Sequence, residues 1–417
     1  LDDWNSLYIY ELYTVCTRGI AMNVALIQPE VPHSPDEDLL GMYPPGGLAW
    51  LAGNIPNHTC EIVDLRVGPL PRKAWDVVGI SCHTVSVEEA ARVAEQVRTA
   101  YKDTIIVTGG HHTLPRELLE FSDCVVRGEG EITFNELVTC LEQENPYSSI
   151  PGVLTRGGPT PQRLPADLST LYPPDYTTMS LSHYHPNQGT LVTSRGCPYH
   201  CIFCVSPFGH AWRGRTPSQV VQEALYLLEE GAPMLHIMDD LFTYQRDRVL
   251  KICAMFKELN CTWDLPNGTR ADSVDADMLS TMAEAGCTRI LYGIESGVQH
   301  VLDSIRKEIT LEQIKTAVSM SKDAGIEVEG LFMVGNPGDT PNTIRETVDF
   351  IKGLDIKGHF SLATPYPGTA FWHWVEKHGD FLGVPYRDYE QVPVFETPEF
   401  SAQDRVFTLE WASQECR

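Results

Sequence analysis

The chain has 417 residues, enough for two or three domains with a sizeable core. Its 31 Lys+Arg against 56 Asp+Glu leave a charge of −25 at pH 7, which argues against nucleic acid or an anionic membrane surface as partner and favours cationic ligands. No apolar run is long enough to span a bilayer, and 12 cysteines are too few for a disulfide scaffold.

Residues 1–21 lack the basic start and apolar stretch of a signal peptide, so they read as an extension before Met22 and the chain as cytoplasmic. From Asn23 onward, β-branched runs at 23–28, 60–64, 77–81, 104–108 and 123–127 alternate with helical patterns at about 46–54, 86–101, 114–119 and 131–143. Such alternation implies a parallel sheet wrapped by helices. Residues 144–189, rich in Pro, Gly, Ser and Tyr, read as a linker. A second alternation follows, with strands at 190–194, 234–238, 262–265, 288–293, 326–334 and 358–363. Its helices lie at 217–230, 246–259, 275–285, 311–324 and 341–353. The fold class is therefore α/β: a Rossmann-like sheet over 22–143, then a partial (βα)6 barrel over 190–380, open on one side. Residues 381–417 read as a short cover for that side. In parallel barrels chemistry gathers at the C-terminal ends of the strands.

The first barrel strand ends at Ser194, immediately before Arg195-Gly196-Cys197-Pro198-Tyr199-His200-Cys201-Ile202-Phe203-Cys204. Three thiolates at C-x3-C-x2-C spacing suit an iron–sulfur cube, with one cysteine on each of three irons and the fourth iron open. A structural zinc site would need a fourth ligand, for which His200 or His210 is available.

This run, with an aromatic before the third cysteine and a partial barrel behind it, resembles the radical S-adenosylmethionine (SAM) superfamily. The resemblance implies a [4Fe-4S] cluster on Cys197, Cys201 and Cys204. It also implies SAM chelated to the open iron and cleaved, by one electron, to a 5′-deoxyadenosyl radical that takes hydrogen from substrate. Phe203 would lie near the adenine. Met238 and Asp239 fall where the superfamily binds the SAM amino group, and Glu295 and Ser296 where a polar side chain meets the ribose or methionyl end. Arg270 and Gly335 stand in the loops after the third and fifth strands. An external flavodoxin- or ferredoxin-type electron donor is implied as well.

Residues 22–143 resemble the cobalamin-binding-type domain that precedes many such barrels, through Tyr43-Pro44-Pro45-Gly46-Gly47-Leu48, Val78-Gly79-Ile80-Ser81, Thr108-Gly109-Gly110-His111-His112 and Arg127-Gly128-Glu129-Gly130-Glu131. There is no D-x-H-x-x-G run to supply a histidine ligand. Leu65–Asp76, with Pro69 and Pro71, leaves little room for a crossover helix. These departures argue for a domain that keeps the fold and has lost cobalamin.

The first reading of function is radical dehydration or deoxygenation of a small polar, cationic molecule such as an aminoglycoside-type sugar. Tyr199, His210, Asp240, Glu329 and Tyr366 are its candidate substrate or proton-transfer groups, and a nicotinamide-dependent reductase would be needed for a ketone product. The alternative is cobalamin-dependent C-methylation; a more remote one is a non-catalytic iron–sulfur or zinc module.

Overall fold

A computed structural model describes residues 21–31 and 42–417; the expected extension, residues 1–21, lies almost entirely outside them. Two compact units emerge. The first comprises described residues 21–31, 45–166 and 170–180, the second 42–44, 167–169 and 181–417.

In the first unit, β1 (Asn23–Gln28), β2 (Thr59–Asp64), β3 (Val77–Ser81), β4 (Ile105–Gly109) and β5 (Cys124–Val126) form a parallel sheet in the order β2-β1-β3-β4-β5. The strands are near-continuous apolar runs because both faces are covered. Helices α1 (Gly46–Gly53), α2 (Val87–Ala100) and α3 (Glu131–Glu142) supply the cover. Ile27, Val78, Ile80, Val93 and Val97 are buried together on one side. The chain passes from β2 to β3 over residues 65–76 without a helix, as their length and prolines predict.

The segment read as a linker instead extends this sheet. β6 (Val153–Thr155) pairs antiparallel with β5, and β7 (Gly158–Pro159) with β6. Strands of two and three residues are too short to show alternation, so the pattern concealed them.

In the second unit, β8 (Thr190–Leu191), β11 (Leu235–Ile237), β12 (Trp263–Thr269), β13 (Cys287–Glu295), β14 (Glu327–Val334) and β15 (Lys357–Leu362) are parallel, in sequential order. A small ladder, β9 (Ser194–Arg195) with β10 (Arg213–Gly214), stands apart. Between the strands run α4 (Pro217–Glu229), α5 (Arg246–Leu259), α6 (Ala276–Glu284), α7 (Gln299–Ser304), α8 (Leu311–Asp323), α9 (Pro341–Leu354) and α10 (Ala370–His378). Their starts are written locally. Thr216 with Gln219 and Thr310 with Gln313 form capping boxes that satisfy orphan amides, and Pro217 and Pro341 sit where a missing N–H costs nothing. A final helix, α11 (Ala402–Glu415), runs beside β15, where the Gly358 N–H donates to the Cys416 carbonyl at 2.9 Å.

A polar row crosses the early residues of these strands. His236 Nδ1 is 2.7 Å from Asp264, Arg289 donates to Asp264 at 2.7 Å, and His359 is 2.8 Å from Glu329. Glu329 precedes the end of β14 by five residues, about 17 Å of strand, and belongs to this row rather than to the rim.

Candidate active site

The cysteine loop departs from β9 and returns through β10, so its two ends are held by one antiparallel pair, Ser194 opposite Gly214 and Arg195 opposite Arg213. Gly196 has φ +87°, and a Cβ there would meet the Ala211 carbonyl oxygen at 2.4 Å; only glycine permits that turn. The Cys197 N–H donates to the Gly209 carbonyl (3.1 Å), the Ile202 N–H to Ile305 (3.1 Å), and the Phe371 N–H to Ile202 (3.0 Å). Distant elements, the ends of α7 and α10, thus fix the middle of the loop.

The donor set fits the cluster. Cys197, Cys201 and Cys204 are free thiols on one pinned loop, and both the N–H and the hydroxyl of Ser206 point at Cys204 Sγ (3.3 and 3.5 Å). Such donors compensate a metal-bound thiolate. Burial pushes the Cys197 and Cys201 thiols up, while Arg270 near both and Lys307 near Cys201 oppose the rise. Arg270 also stacks on the Tyr199 ring at 3.5 Å and holds Asp272 through two 2.8 Å bonds, leaving Nη1 buried without a hydrogen-bond partner. A buried cation with an unused donor beside the cluster cysteines suits the carboxylate-bearing ligand that the superfamily places there.

The two carboxylates after β11 face the cysteine strand. Asp239, buried, accepts from the Thr193 N–H and hydroxyl (both 2.6 Å) and the Ser194 hydroxyl (2.5 Å). Asp240 accepts from the Gly196 N–H at 2.8 Å, and burial raises its pKa. These bonds suit Asp239 to positioning, where the superfamily resemblance implied contact with SAM, while Asp240, a candidate for substrate chemistry, spends one oxygen on the Gly196 N–H. Met238, half-buried, donates its N–H to Leu191 (2.8 Å). Glu295, at φ +71°, pairs with Lys307 at 2.8 Å, a partner that no local sequence signal announces. Ser296 accepts from the Val298 N–H at 3.2 Å and lies 3.4 Å from the Thr347 hydroxyl, capping its own turn. Gly335, at φ +102°, donates to Asp339 at 3.1 Å.

Four predicted positions remain. Phe203 lies half-buried in the cysteine loop. His210 is exposed, tilted against His200 with ring centroids 4.0 Å apart and Nδ1 3.1 Å from the Cys197 carbonyl. Tyr366 is bonded through its hydroxyl to Glu390, and burial with that carboxylate pushes its pKa up, so the phenol stays protonated. Glu329 sits in the polar row, its carboxyl lowered by the His359 hydrogen bond. The structure therefore gathers the cysteines with Tyr199, Arg270, Asp240 and the Glu295–Lys307 pair, braces their strand with Asp239, and sets Glu329 well below them.

In the first unit the C-terminal strand ends carry an open glycine rim. Among the described residues, a Cβ at Gly46 or Gly47 would meet nothing within 4 Å, and Gly110 (φ +118°) lets His112 donate its N–H to Cys82 at 3.0 Å. In open parallel sheets this edge, where the strand order reverses between β1 and β3, is where ligands bind. The missing β2–β3 helix would have covered a sheet face, so its absence leaves the edge intact.

Residues 191–351 match the radical SAM superfamily and residues 41–138 the B12 binding domain. An uncharacterized methyltransferase of Pyrococcus horikoshii is 32% identical over 391 residues, covering 86% of this chain and 84% of its own. An anaerobic magnesium-protoporphyrin IX monomethyl ester cyclase of Rubrivivax gelatinosus is 28% identical over 383 residues, covering 83% and 68%. The fold is similar to that of the radical SAM methyltransferase TsrM of Kitasatospora setae, solved with cobalamin and a [4Fe-4S] cluster (TM-score 0.74, 20% identity, 88% of this chain and 82% of that one). It is also similar to the cobalamin-dependent radical enzyme OxsB (TM-score 0.66, 21% identity, 79% and 52%). Taken with the pinned three-cysteine loop, these matches place the chain in the radical SAM superfamily, as a member with a B12-binding domain ahead of the barrel.

Proposed function

We propose that this enzyme is a cobalamin-dependent radical SAM methyltransferase acting on carbon in a small molecule. The carrying observation is a methyltransferase relative at 32% identity over 86% of the chain. The open glycine rim of the first unit supports it. This reverses the order that the sequence suggested, in which dehydration stood first and cobalamin was argued against. The shortened crossover, the main ground for that order, leaves the ligand-binding edge in place.

When bound, the cluster and SAM supply a hydrogen-abstracting radical and the corrin a transferable methyl group; this chemistry belongs to the cofactors. The protein's part is support. Cys197, Cys201 and Cys204 hold the cluster, Arg270 and Tyr199 flank it, and Asp239 and Asp240 fix the strand from which the loop springs. Gly46 and Gly47 would let backbone approach the corrin, while Gly109 and Gly110 let neighbouring strand ends pack closely behind that edge. Methylation needs no nicotinamide-dependent reductase.

Leu331 and Met333 lie half-buried on the strand face opposite buried Phe332 and Val334, and Leu331 Cδ1 comes within 3.2 Å of a Cβ placed on Gly268. That apolar wall suits a carbon-rich substrate better than a polyhydroxylated sugar.

The test needs no known substrate. Reconstituted with iron, sulfide and cobalamin, then given SAM and a reductant, the protein should retain the corrin stoichiometrically and form both 5′-deoxyadenosine and S-adenosylhomocysteine. Cys201→Ala should lose the first product. Formation of 5′-deoxyadenosine with neither corrin retention nor S-adenosylhomocysteine would return the assignment to dehydration.

A further inference from the structure

Glu295 and Lys307 are bonded to each other at 2.8 Å beside the cysteine loop, with 8% and 5% of their surfaces exposed. An ion pair buried this far adds little to stability, because desolvation offsets most of the attraction. The backbone is nevertheless bent to place it. Of the eight non-glycine residues at positive φ among the described ones, Glu295 (+71°), Arg306 (+54°) and Glu308 (+55°) belong to the pair or flank it. Arg306 lies just past α7, where a left-handed residue is an ordinary helix stop. Glu295 and Glu308 end no helix, and such backbone persists only where its surroundings enforce it. The β13–β14 register slips between Gly293 and Glu295, and a Cβ on Gly293 would meet Glu295 Oε1 at 3.0 Å and Lys307 Nζ at 3.2 Å. Gln299 ties the far side of the turn, accepting from the Leu311 N–H (3.1 Å) and donating to the Ile309 carbonyl (3.0 Å). The same turn reaches the cysteines, since the Ile305 carbonyl accepts from the N–H of Ile202, next to Cys201 (3.1 Å). Burial is the largest influence on the Cys201 thiol and raises its pKa; of the two charges, Lys307, which lowers it, outweighs Glu295, which raises it. The pair's net field at that sulfur is therefore positive.

We propose that Lys307 sets the reduction potential of the cluster, with Glu295 as its counterweight. The role rests on superfamily membership, that is, on a cluster held by Cys197, Cys201 and Cys204. Net charge around an iron–sulfur cluster is one of the chief determinants of its potential. Reduction takes one electron from an external one-electron donor, breaks no bond and moves no proton, so the site gains a negative charge. A cation nearby favours the reduced form and an anion the oxidised one, and a buried charge is screened far less than an exposed one. Glu295 holds Lys307 in its slot and cancels part of its charge, which leaves the positive remainder that Cys201 feels. Three thiolates outweigh the charge of the oxidised core, so Lys307 still has an anion to face when Glu295 is neutralised. A pair serving only to pack the turn would have no sign: losing either charge would disturb the loop alike.

The experiment is a redox titration of the reconstituted full-length enzyme with dithionite and viologen mediators, without SAM, reading the reduced cluster by electron paramagnetic resonance. At the wild-type midpoint, Lys307→Met should lower the ratio of reduced to oxidised cluster about tenfold, a downward shift of about 59 mV. Glu295→Gln should raise that ratio several-fold. Glu295→Gln combined with Lys307→Met removes both charges at nearly constant volume, and its potential should lie between those of the single variants and below wild type. Shifts of the same sign in the two single variants, or an unmoved potential in either, would overturn the role. If Lys307→Met retains no iron, the double variant and Glu295→Gln decide: potentials below and above wild type, respectively, support the role, and any other order overturns it. A wild-type protein with no cluster signal would instead overturn the cluster assignment.

Discussion

Asp239 offers the sharpest separation of two roles. Sequence pattern suggested that it meets the SAM amino group; its bonds make it the clamp on the strand leading into the cysteine loop. Replacement by Ala removes acceptors from the Thr193 N–H, the Thr193 hydroxyl and the Ser194 hydroxyl, all buried. Bonds to a charged acceptor contribute about 1.5–3 kcal/mol each. The two hydroxyls can turn elsewhere, and the amide cannot. Arg248, whose guanidinium donates to the Thr193 carbonyl, also loses a nearby negative charge. A net cost of about 4 kcal/mol follows, because one amide is stranded outright and the others re-pair in part. At roughly 2–4 °C per kcal/mol for a unit of this size, the barrel transition should fall by about 8–16 °C. Asn keeps one acceptor and should lose about 1–2 kcal/mol. The assay pairs thermal unfolding of the iron-free protein with iron per chain and SAM affinity after reconstitution. Asp239→Ala should lower all three, and Asp239→Asn should recover most of each. If the Ala variant instead melts with the wild type and keeps its iron, while SAM affinity alone collapses, the clamp reasoning is wrong and direct contact with SAM is right.

Other expectations follow from the same geometry. Gly196→Ala would force a Cβ into the Ala211 carbonyl at positive φ, costing at least about 2 kcal/mol locally; iron content should drop while circular dichroism holds. Glu223→Gln would leave Arg215 buried opposite a neutral partner and should cost about 3–5 kcal/mol in urea unfolding. Replacing both residues of the pair by Met and Leu should come within about 1 kcal/mol of wild type. Burial pushes Asp339 up to about 6, against hydrogen bonds from Thr343 and the Asn336 and Gly335 amides. A folded pKa above the unfolded one means the folded state holds this proton more tightly, so this group's contribution is fullest below about pH 4 and is lost as pH rises to about 6. Relative to Asp339→Asn, wild type should therefore lose up to about 3 kcal/mol between those limits. Parallel stability profiles for the two proteins would contradict this.

The elements that carry the site were legible because their signals are local. Runs of β-branched residues, helical periodicity and the C-x3-C-x2-C spacing each act within a few residues, and β14 and α5 appear where their patterns put them. The β6–β7 hairpin, helices α7 and α10, and α11 within the stretch read as a cover were not legible; hairpin strands of two and three residues carry little periodicity. The missing crossover helix was read correctly from Pro69 and Pro71. Loss of cobalamin does not follow from it, because a helix on a sheet face and a ligand at a sheet edge are independent features.

Side-chain roles were harder still, and for a physical reason. Glu295 stands at the end of a strand as the superfamily pattern requires, but its charge is matched by Lys307, beyond an intervening helix. Tyr366 follows its strand as a rim residue should, yet it is committed to Glu390. Asp239 lies at the correct strand end and spends both carboxylate oxygens on Thr193 and Ser194, and Asp240 spends one of its own on the Gly196 N–H. A sequence position fixes which edge of the barrel a residue reaches. Whether the residue faces a ligand or braces the wall is decided by partners tens of residues away, and in this chain the loop that would hold the cluster is braced by three of them: Asp240, Ile305 and Phe371. Loss of the brace and loss of a ligand contact would both abolish activity, so only measurements that read stability and iron content beside activity can tell the two kinds of residue apart.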